Sequence, residues 1–576
     1  MLLHRIKLVG TYKGLSGSSE DPFEYDFTSA REGFEGITPI CLVGLNGSGK
    51  SNLIELIADI FSYAERYFNP AFRCYKNLDY DFELIYFIKK EGKDNLVQLF
   101  CKSSEVRMSV NDPILENFDY QAVQHNDESP LEYLPSSVVA YSSGQNQGLS
   151  SVFAKGQMAF FDAIREQGLF FRRREILYEQ LQGRSEQIDS SVRENLLELY
   201  RKTISSFPNL FRAQKVRQDN VDEEFDLDVP LYPIPPSLPK GIYFNQQISL
   251  LIFISLCVGK RKKFSLFLKE EIGINQLVSF DINFQLNAYR QFDFVNDEVN
   301  RFYELASSTE KFDKETNTGT LRYRLDDVFY ERLESLFIDE STFYEKLLFL
   351  NLLSAKKWSF DEKKSLRTSR YERNVPNVAG GHPPLRVLNV QLELDEPNVT
   401  TTYDRLSDGE HQLIQLMCAS NVDPKGNSLL ILDEPESHFN PEWRSELLSI
   451  VEKYSDSELS ELIVSTHSPF VVSACPADRM LHFQKSGGNV KIERMSTETY
   501  GAAFDTLLKT VFNFGALISK KPLEEIRLLL KDDPRNVDER DNLLERLERF
   551  GESFELRIRK HQLRAMFEDQ EEERGQ

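Results

Sequence analysis

The segment that most narrows what this chain can fold into is Gly44-Leu45-Asn46-Gly47-Ser48-Gly49-Lys50-Ser51, which fits G-x-x-x-x-G-K-[ST]. Its glycines let backbone N–H groups turn inward around phosphate oxygens, and a helix N-terminus behind them favours negative charge. The flanks agree. Residues 37–43 form an apolar run that reads as a strand, and Leu53, Ile54, Ile57, Ile60, Phe61 and Ala64 recur at spacings of three and four, which predicts a helix over 51–68. Lys50 is then placed to reach terminal phosphates. Ser51 offers a hydroxyl to Mg²⁺, which prefers hard oxygen ligands, and Gly44, Asn46, Gly47, Ser48, Gly49 and Asn52 make up the rest of the cradle. An ordinary glycine turn is the competing reading, and the strand–loop–helix order weighs against it.

Further along, Leu429-Leu430-Ile431-Leu432-Asp433-Glu434 is an apolar strand ending in two acids. A buried parallel strand delivers such carboxylates to the carboxyl edge of its sheet. Asp433 fits a magnesium ligand and Glu434 fits the residue that orients or deprotonates an attacking water. A strand end with solvated acids is the bland alternative. Ser407-Asp408-Gly409-Glu410 opens another helix, where Ser407, Gly409 and Glu410 can form a second anion site or simply a helix cap. His467 follows the predicted strand 461–465. A lone histidine is commonly structural, but its position after Ile463-Val464-Ser465 reverses that preference.

A chain of 576 residues exceeds what one hydrophobic core supports, so several structural units are expected. Four are read here. Residues 1–150 form the first lobe of an α/β head and 151–384 a large, mainly helical insertion, with helices over 195–201, 247–258 and 328–353. Residues 385–495 form a second lobe with a parallel sheet, and 496–576 a charged helical tail with an apolar stripe at Leu543, Leu547, Phe550 and Phe554. The longest apolar run, 248–258, is too short to span a bilayer, and no leader pattern opens the chain, so a cytoplasmic protein without membrane contact is expected. The six scattered cysteines read as reduced thiols. A net charge of −22 opposes general adhesion to nucleic acid, so any such contact must be local. Arg172-Arg173-Arg174 and Lys260-Arg261-Lys262-Lys263 are candidates, or solvated helix ends.

Taken in order, these motifs resemble those of ABC-type ATPases. Leu406-Ser407-Asp408-Gly409-Glu410-His411-Gln412 looks like the signature, 433–436 the Walker B extension, 437–441 the D-loop and His467 the switch histidine. The resemblance implies ATP and Mg²⁺ as ligands, hydrolysis to ADP and phosphate, and a homodimer, with higher oligomers to follow. In that dimer Ser407 and Gly409 of one copy cover the triphosphate held by Lys50 of the other. Gln145, or its near neighbour Gln147, is the candidate Q-loop residue, touching nucleotide and metal; a polar surface loop is the alternative. The long insertion is unlike transporter subunits and resembles OLD-like and AAA_21 ATPases. With residues 41–51 and 141–144 added, it resembles the PtuA-type ATPases of Septu and retron antiphage systems. That family implies an HNH endonuclease as separately encoded partner and, in retron versions, a reverse transcriptase with its RNA–DNA product. An autonomous OLD-like or DNA-repair ATPase and nuclease, and a clamp that binds ATP with little hydrolysis, are the competing functions.

Overall fold

A computed structural model describes residues 1–27, 39–75, 78–111, 121–122, 130–144, 147–182, 190–205, 236–290, 292–368, 383–396, 399–423, 426–455, 461–486, 489–512, 519–529, 531, 533–552 and 554–566. The chain divides into two compact units, Met1–Gly501 and Ala502–Gln576.

The first unit holds three sheets. An antiparallel sheet runs in the order Leu15–Gly17, Leu2–Tyr12, Asp81–Lys90, Lys93–Lys102, Glu105–Asn111, Gln121–Ala122, with Phe23–Asp26 also paired to Leu2–Tyr12. Two of its hairpins close on two-residue turns with positive φ, at Glu91 (52°) and Gly92 (79°) and at Ser103 (52°) and Ser104 (65°), the backbone twist that two-residue hairpins favour. The serines hold that conformation through side-chain partners. Ser103 N–H donates to Asp81 Oδ1 at 2.8 Å, and Ser104 Oγ exchanges hydrogen bonds with both backbone groups of Leu78 at 3.0 Å.

The second sheet orders Gly241–Tyr243, Val138–Ser142, Leu429–Asp433, Glu461–Ser465, Ile40–Gly44, Met480–Ser486 and Asn489–Arg494. All neighbours run parallel except the last pair. Ile40–Gly44, Leu429–Asp433 and Glu461–Ser465 are buried along their whole length, which is why they read as uninterrupted apolar runs rather than alternations. Their register sets the site. Asp433 pairs with Ser142 on one side and Ser465 on the other, and Ser465 pairs with Leu42, so four strand ends reach the same edge. The helix Lys50–Phe68 joins the two sheets, with Ile54, Phe61, Leu84, Leu99, Leu429 and Ile431 in one continuous core.

The insertion, read as mainly helical, also carries strands of a third sheet. Ile274–Gln285, Ser308–Asp313 and Thr318–Arg324 combine with Leu385–Leu394 and Thr400–Thr402 into a five-stranded antiparallel sheet, order Ser308–Asp313, Thr318–Arg324, Ile274–Gln285, Leu385–Leu394, Thr400–Thr402. Phe280, Ile282 and Phe284 are fully buried at alternate positions, the period-two signal of a strand. Residues 328–353 hold two helices, Asp327–Leu336 and Glu340–Leu352, because Asp339 caps the second by accepting from Thr342 N–H at 2.8 Å. The long helix Gln147–Gln182 includes Gly148, Gly156 and Gly168, which resemble breakers. Two of these mark close approach: a Cβ on Gly148 would meet Glu55 Oε1 at 2.3 Å, and one on Gly168 would meet Phe292 at 2.1 Å.

Cys41 and Cys475, read from the sequence as separate reduced thiols, stand with their sulfurs adjacent. Met480–Ser486 pairs in parallel with Ile40–Gly44, with Met480 opposite Cys41, and this pairing carries Cys475 alongside. In the second unit, Leu543 and Leu547 pack with Ile526, Leu529, Leu556 and Leu563, so the tail's stripe contributes to a core within this unit. No helix among the described residues is long and apolar enough to cross a membrane.

Candidate functional site

The loop after Ile40–Gly44 has φ of 148° at Gly44, 73° at Gly47 and 107° at Gly49, conformations that favour glycine. Space enforces two of them: a Cβ on Gly44 would come 2.4 Å from Phe483 O, and one on Gly49 2.8 Å from Val490 Cγ2. The tip points outward, with Leu45, Asn46 and Gly47 exposed and Leu45 at 64 %. Behind it, the Ser48 hydroxyl is buried without a hydrogen-bond partner. Gly49 caps the following helix without any side-chain bond, so no side chain competes for the helix's first N–H groups. A cradle of this shape fits a phosphate chain.

Lys50 is buried at 6 % exposure. Its Nζ donates to Gly44 O at 2.9 Å and Leu45 O at 3.4 Å and lies 3.0 Å from His467 Nε2. Burial pulls the ammonium below the usual lysine range, and the carboxylates of Glu434 and Asp433 work against that pull. His467 Nε2 is also 3.4 Å from Glu434 Oε1. Burial, then the charge of Lys50, pushes His467 down, so it is neutral near pH 7. With Lys50 as donor, Nε2 is the acceptor and Nδ1 carries the ring proton. Lys50 and Glu434 thus meet at the same nitrogen of His467, Lys50 as its donor and the Glu434 carboxylate beside it without a hydrogen bond.

Glu434 leaves its strand at φ 50°, in the left-handed region, and its N–H donates to Ser465 O at 2.9 Å. This turn sends Glu434 towards His467 while Asp433 stays buried at the strand end. Ser51 and Asn52, half-buried in the first helical turn, stand beside the loop as predicted. Asp433 and Ser51 supply the oxygen chemistry a hard cation takes. Gln145 lies outside the described residues, and of Gln147 only its place at the start of Gln147–Gln182 is described.

Ser407 and Glu410 occupy the other expected turn. Ser407 caps Asp408–Asn421 in a capping box: Glu410 N–H donates to Ser407 Oγ at 3.3 Å, and Ser407 N–H donates to Glu410 Oε2 at 2.6 Å. Ser407 Oγ also donates to Glu410 Oε2 at 2.7 Å. Gly409 abuts the loop after the acidic strand, since a Cβ there would lie 3.2 Å from Trp443 and 3.4 Å from His438 O.

That loop is more connected than its sequence implies. Ser437 Oγ donates to Glu434 O at 2.9 Å and lies 2.9 Å from Ser143 Oγ. Buried Glu436 accepts from the Thr466 hydroxyl, and burial pushes its carboxyl up. Ser143 and Thr466 carry no motif role by spacing alone, and the strand register makes them neighbours of this loop, while Gln412, the last residue of the signature-like segment, reaches it from Asp408–Asn421. Of the basic clusters, Lys263 Nζ donates to Ser455 O at 2.7 Å and Lys260 lies over the Tyr330 ring at 3.6 Å, contacts of a packed helix start.

Comparison with known proteins matches residues 271–473 to the family described as "AAA domain, putative AbiEii toxin, Type IV TA system" (AAA_21). Protein ea59 of Escherichia phage lambda is 29% identical over 170 residues, 28% of this chain and 31% of that protein, so under a third of that relative is spanned. Among solved structures, the SMC head domain from Thermotoga maritima aligns with 86% of this chain and 100% of its own at 11% identity and TM-score 0.31. The recombination mediator RecF aligns with 85% and 97% at 13% identity and TM-score 0.30. The family match holds the signature turn, the acidic strand and His467, while the lysine loop lies before it and stands on its own geometry. In sequence, residues 271–473 match an ATPase domain of the AAA_21 type, set in an α/β head of ABC-type motif order.

Proposed function

We propose that this chain binds ATP with Mg²⁺ and hydrolyses it in sites completed by a second copy, and that the cycle controls a separately encoded HNH nuclease of the Septu or retron type. The observation that carries the ATPase reading is the contact from Lys50 through His467 to Glu434, with Asp433 at the same edge. Phosphates replace the carbonyls of Gly44 and Leu45 and the His467 ring as partners of Lys50. Ser51 and Asp433 would hold Mg²⁺, which would supply charge neutralisation to the phosphates. Glu434 takes the proton of the attacking water, whose oxygen bonds to the γ-phosphorus as the bond to the ADP oxygen breaks. His467 sits beside both Lys50 and Glu434, where it can hold the attacked group in line.

The exposed lysine-loop tip and the exposed Ser407 turn support closure by a second copy, each offering what the other needs. The nuclease partnership rests on the motif order and the long insertion. The family description, which names a putative toxin of a type IV system, is compatible with a role in bacterial conflict.

Glu434→Gln is the test of hydrolysis: kcat is expected to fall by roughly 10²–10⁴ while ATP binding persists, since a general base contributes about that much. Unchanged turnover would remove Glu434 from the mechanism. For the partnership, the chain is co-expressed with an HNH subunit, and co-purification with nucleotide-dependent DNA cleavage is expected. Cleavage by this chain alone would favour an autonomous nuclease.

A further inference from the structure

Gln412 is buried at 3 % exposure in the second turn of Asp408–Asn421, an unusual place for an amide unless it has bonding to do. Its Oε1 accepts from the backbone N–H of His438 at 2.9 Å. Its Nε2, also buried, has no hydrogen-bond partner among the described residues. Through Oε1, Gln412 joins two elements: the helix behind the Ser407 turn and the loop after Glu434.

The loop it grips is the one tied most closely to the reacting groups. One residue before His438, Ser437 bonds the carbonyl of Glu434 itself. Two residues before, Glu436 bonds Thr466, the neighbour of His467. The packing at Gly409 leaves little slack, because the His438 carbonyl and Trp443 already stand where a Cβ would go. A shift of the Ser407 turn must move His438, and His438 is one residue from the side chain that holds Glu434.

Resting on the ATPase reading above, we propose that Gln412 is a positioning residue that couples the two nucleotide sites of the dimer. When the Ser407 turn of one copy closes on its partner's triphosphate, the Gln412–His438 bond passes that displacement to Glu434 of the same copy, which serves the other site. Occupancy of one site thereby sets the geometry of the water-activating carboxylate in the second. The link is a rigid hydrogen bond between packed elements and needs no large domain motion.

Gln412→Met conserves volume and removes the acceptor, whereas Gln412→Glu keeps an oxygen at the same reach. Turnover is measured against ATP concentration for both and for wild type, with equilibrium binding of an ATP analogue as control. With two coupled sites the wild-type Hill coefficient approaches 2, and Gln412→Met is expected to bring it to about 1 with kcat down about tenfold. Analogue binding should stay within about twofold, and Gln412→Glu should restore cooperativity in part, because only the acceptor is at issue. A Met variant that keeps wild-type cooperativity overturns the proposal, as does loss of cooperativity in Met and Glu variants alike. Wild-type protein with no turnover would instead defeat the ATPase reading itself. If the Met variant does not fold, Gln412→Asn, one methylene short of His438, carries the same comparison.

Discussion

Two turns of this molecule open helices towards an anion, and they are finished in opposite ways. The lysine loop enters Lys50–Phe68 through Gly49, at φ 107° and with no side-chain cap, leaving the helix's first amides unclaimed by any side chain. The serine turn enters Asp408–Asn421 through Ser407, whose hydroxyl and N–H are both taken by Glu410. An uncapped N-terminus is a binding site waiting for its ligand, whereas a capping box is a satisfied end. The contrast is one of state: one turn presents amides that no side chain claims, and the other has its serine hydroxyl and N–H held by an internal carboxylate.

The sharpest way to break this comparison is to disable the first turn. Lys50→Ala is expected to weaken binding of an ATP analogue by roughly 10²–10³-fold, the scale of removing one preorganised charge contact, as read by equilibrium fluorescence. Its melting temperature should not fall, because the ammonium it removes is buried and disfavoured there. Ser407→Ala should behave differently. Analogue binding to the isolated chain stays within about twofold, while loss of the cap lowers stability by about 1 kcal/mol in denaturant melts. If both substitutions impair binding by one chain equally, the two turns serve the same phosphate in the same chain and the distinction collapses.

The smallest expected effect concerns pH. His467 is held below its ordinary value by burial and by Lys50, so the unfolded chain takes up a proton first as pH falls through about 6.5. Stability is therefore present above that pH and is lost on acidification down to the folded value. His467→Gln should remove that loss from the pH profile of unfolding. An identical profile in the variant would mean that His467 is not the group responsible.

How much of this was legible in the residues follows from what each signal depends on. Lys50, Ser51, Asp433 and Glu434 announce themselves because backbone conformation and strand burial dictate their neighbours within a few positions, and the structure brings Lys50 and Glu434 to one histidine. Leu385–Leu394 and Glu461–Ser465 stand where their patterns put them. The third sheet was hidden because Ile274–Gln285 pairs with strands up to 120 residues away, Ile274 facing Leu394, and shows its alternation only over 280–284. The Gln147–Gln182 helix was hidden by glycines that serve close packing and not chain breaking. Gln412, Ser143 and Thr466 act through contacts across the sheet edge, which no local spacing records.

The central claim, that each triphosphate is enclosed by two copies, is tested most directly by mixing two inactive variants, Lys50→Ala and Ser407→Arg, and measuring ATP turnover. In a shared-site dimer, a mixed pair has one site lacking both groups and one site with both intact, so random pairing should restore about a quarter of wild-type turnover if the sites act independently, and about tenfold less with the coupling through Gln412. Turnover that never exceeds the sum of the two variants measured apart would contradict the account.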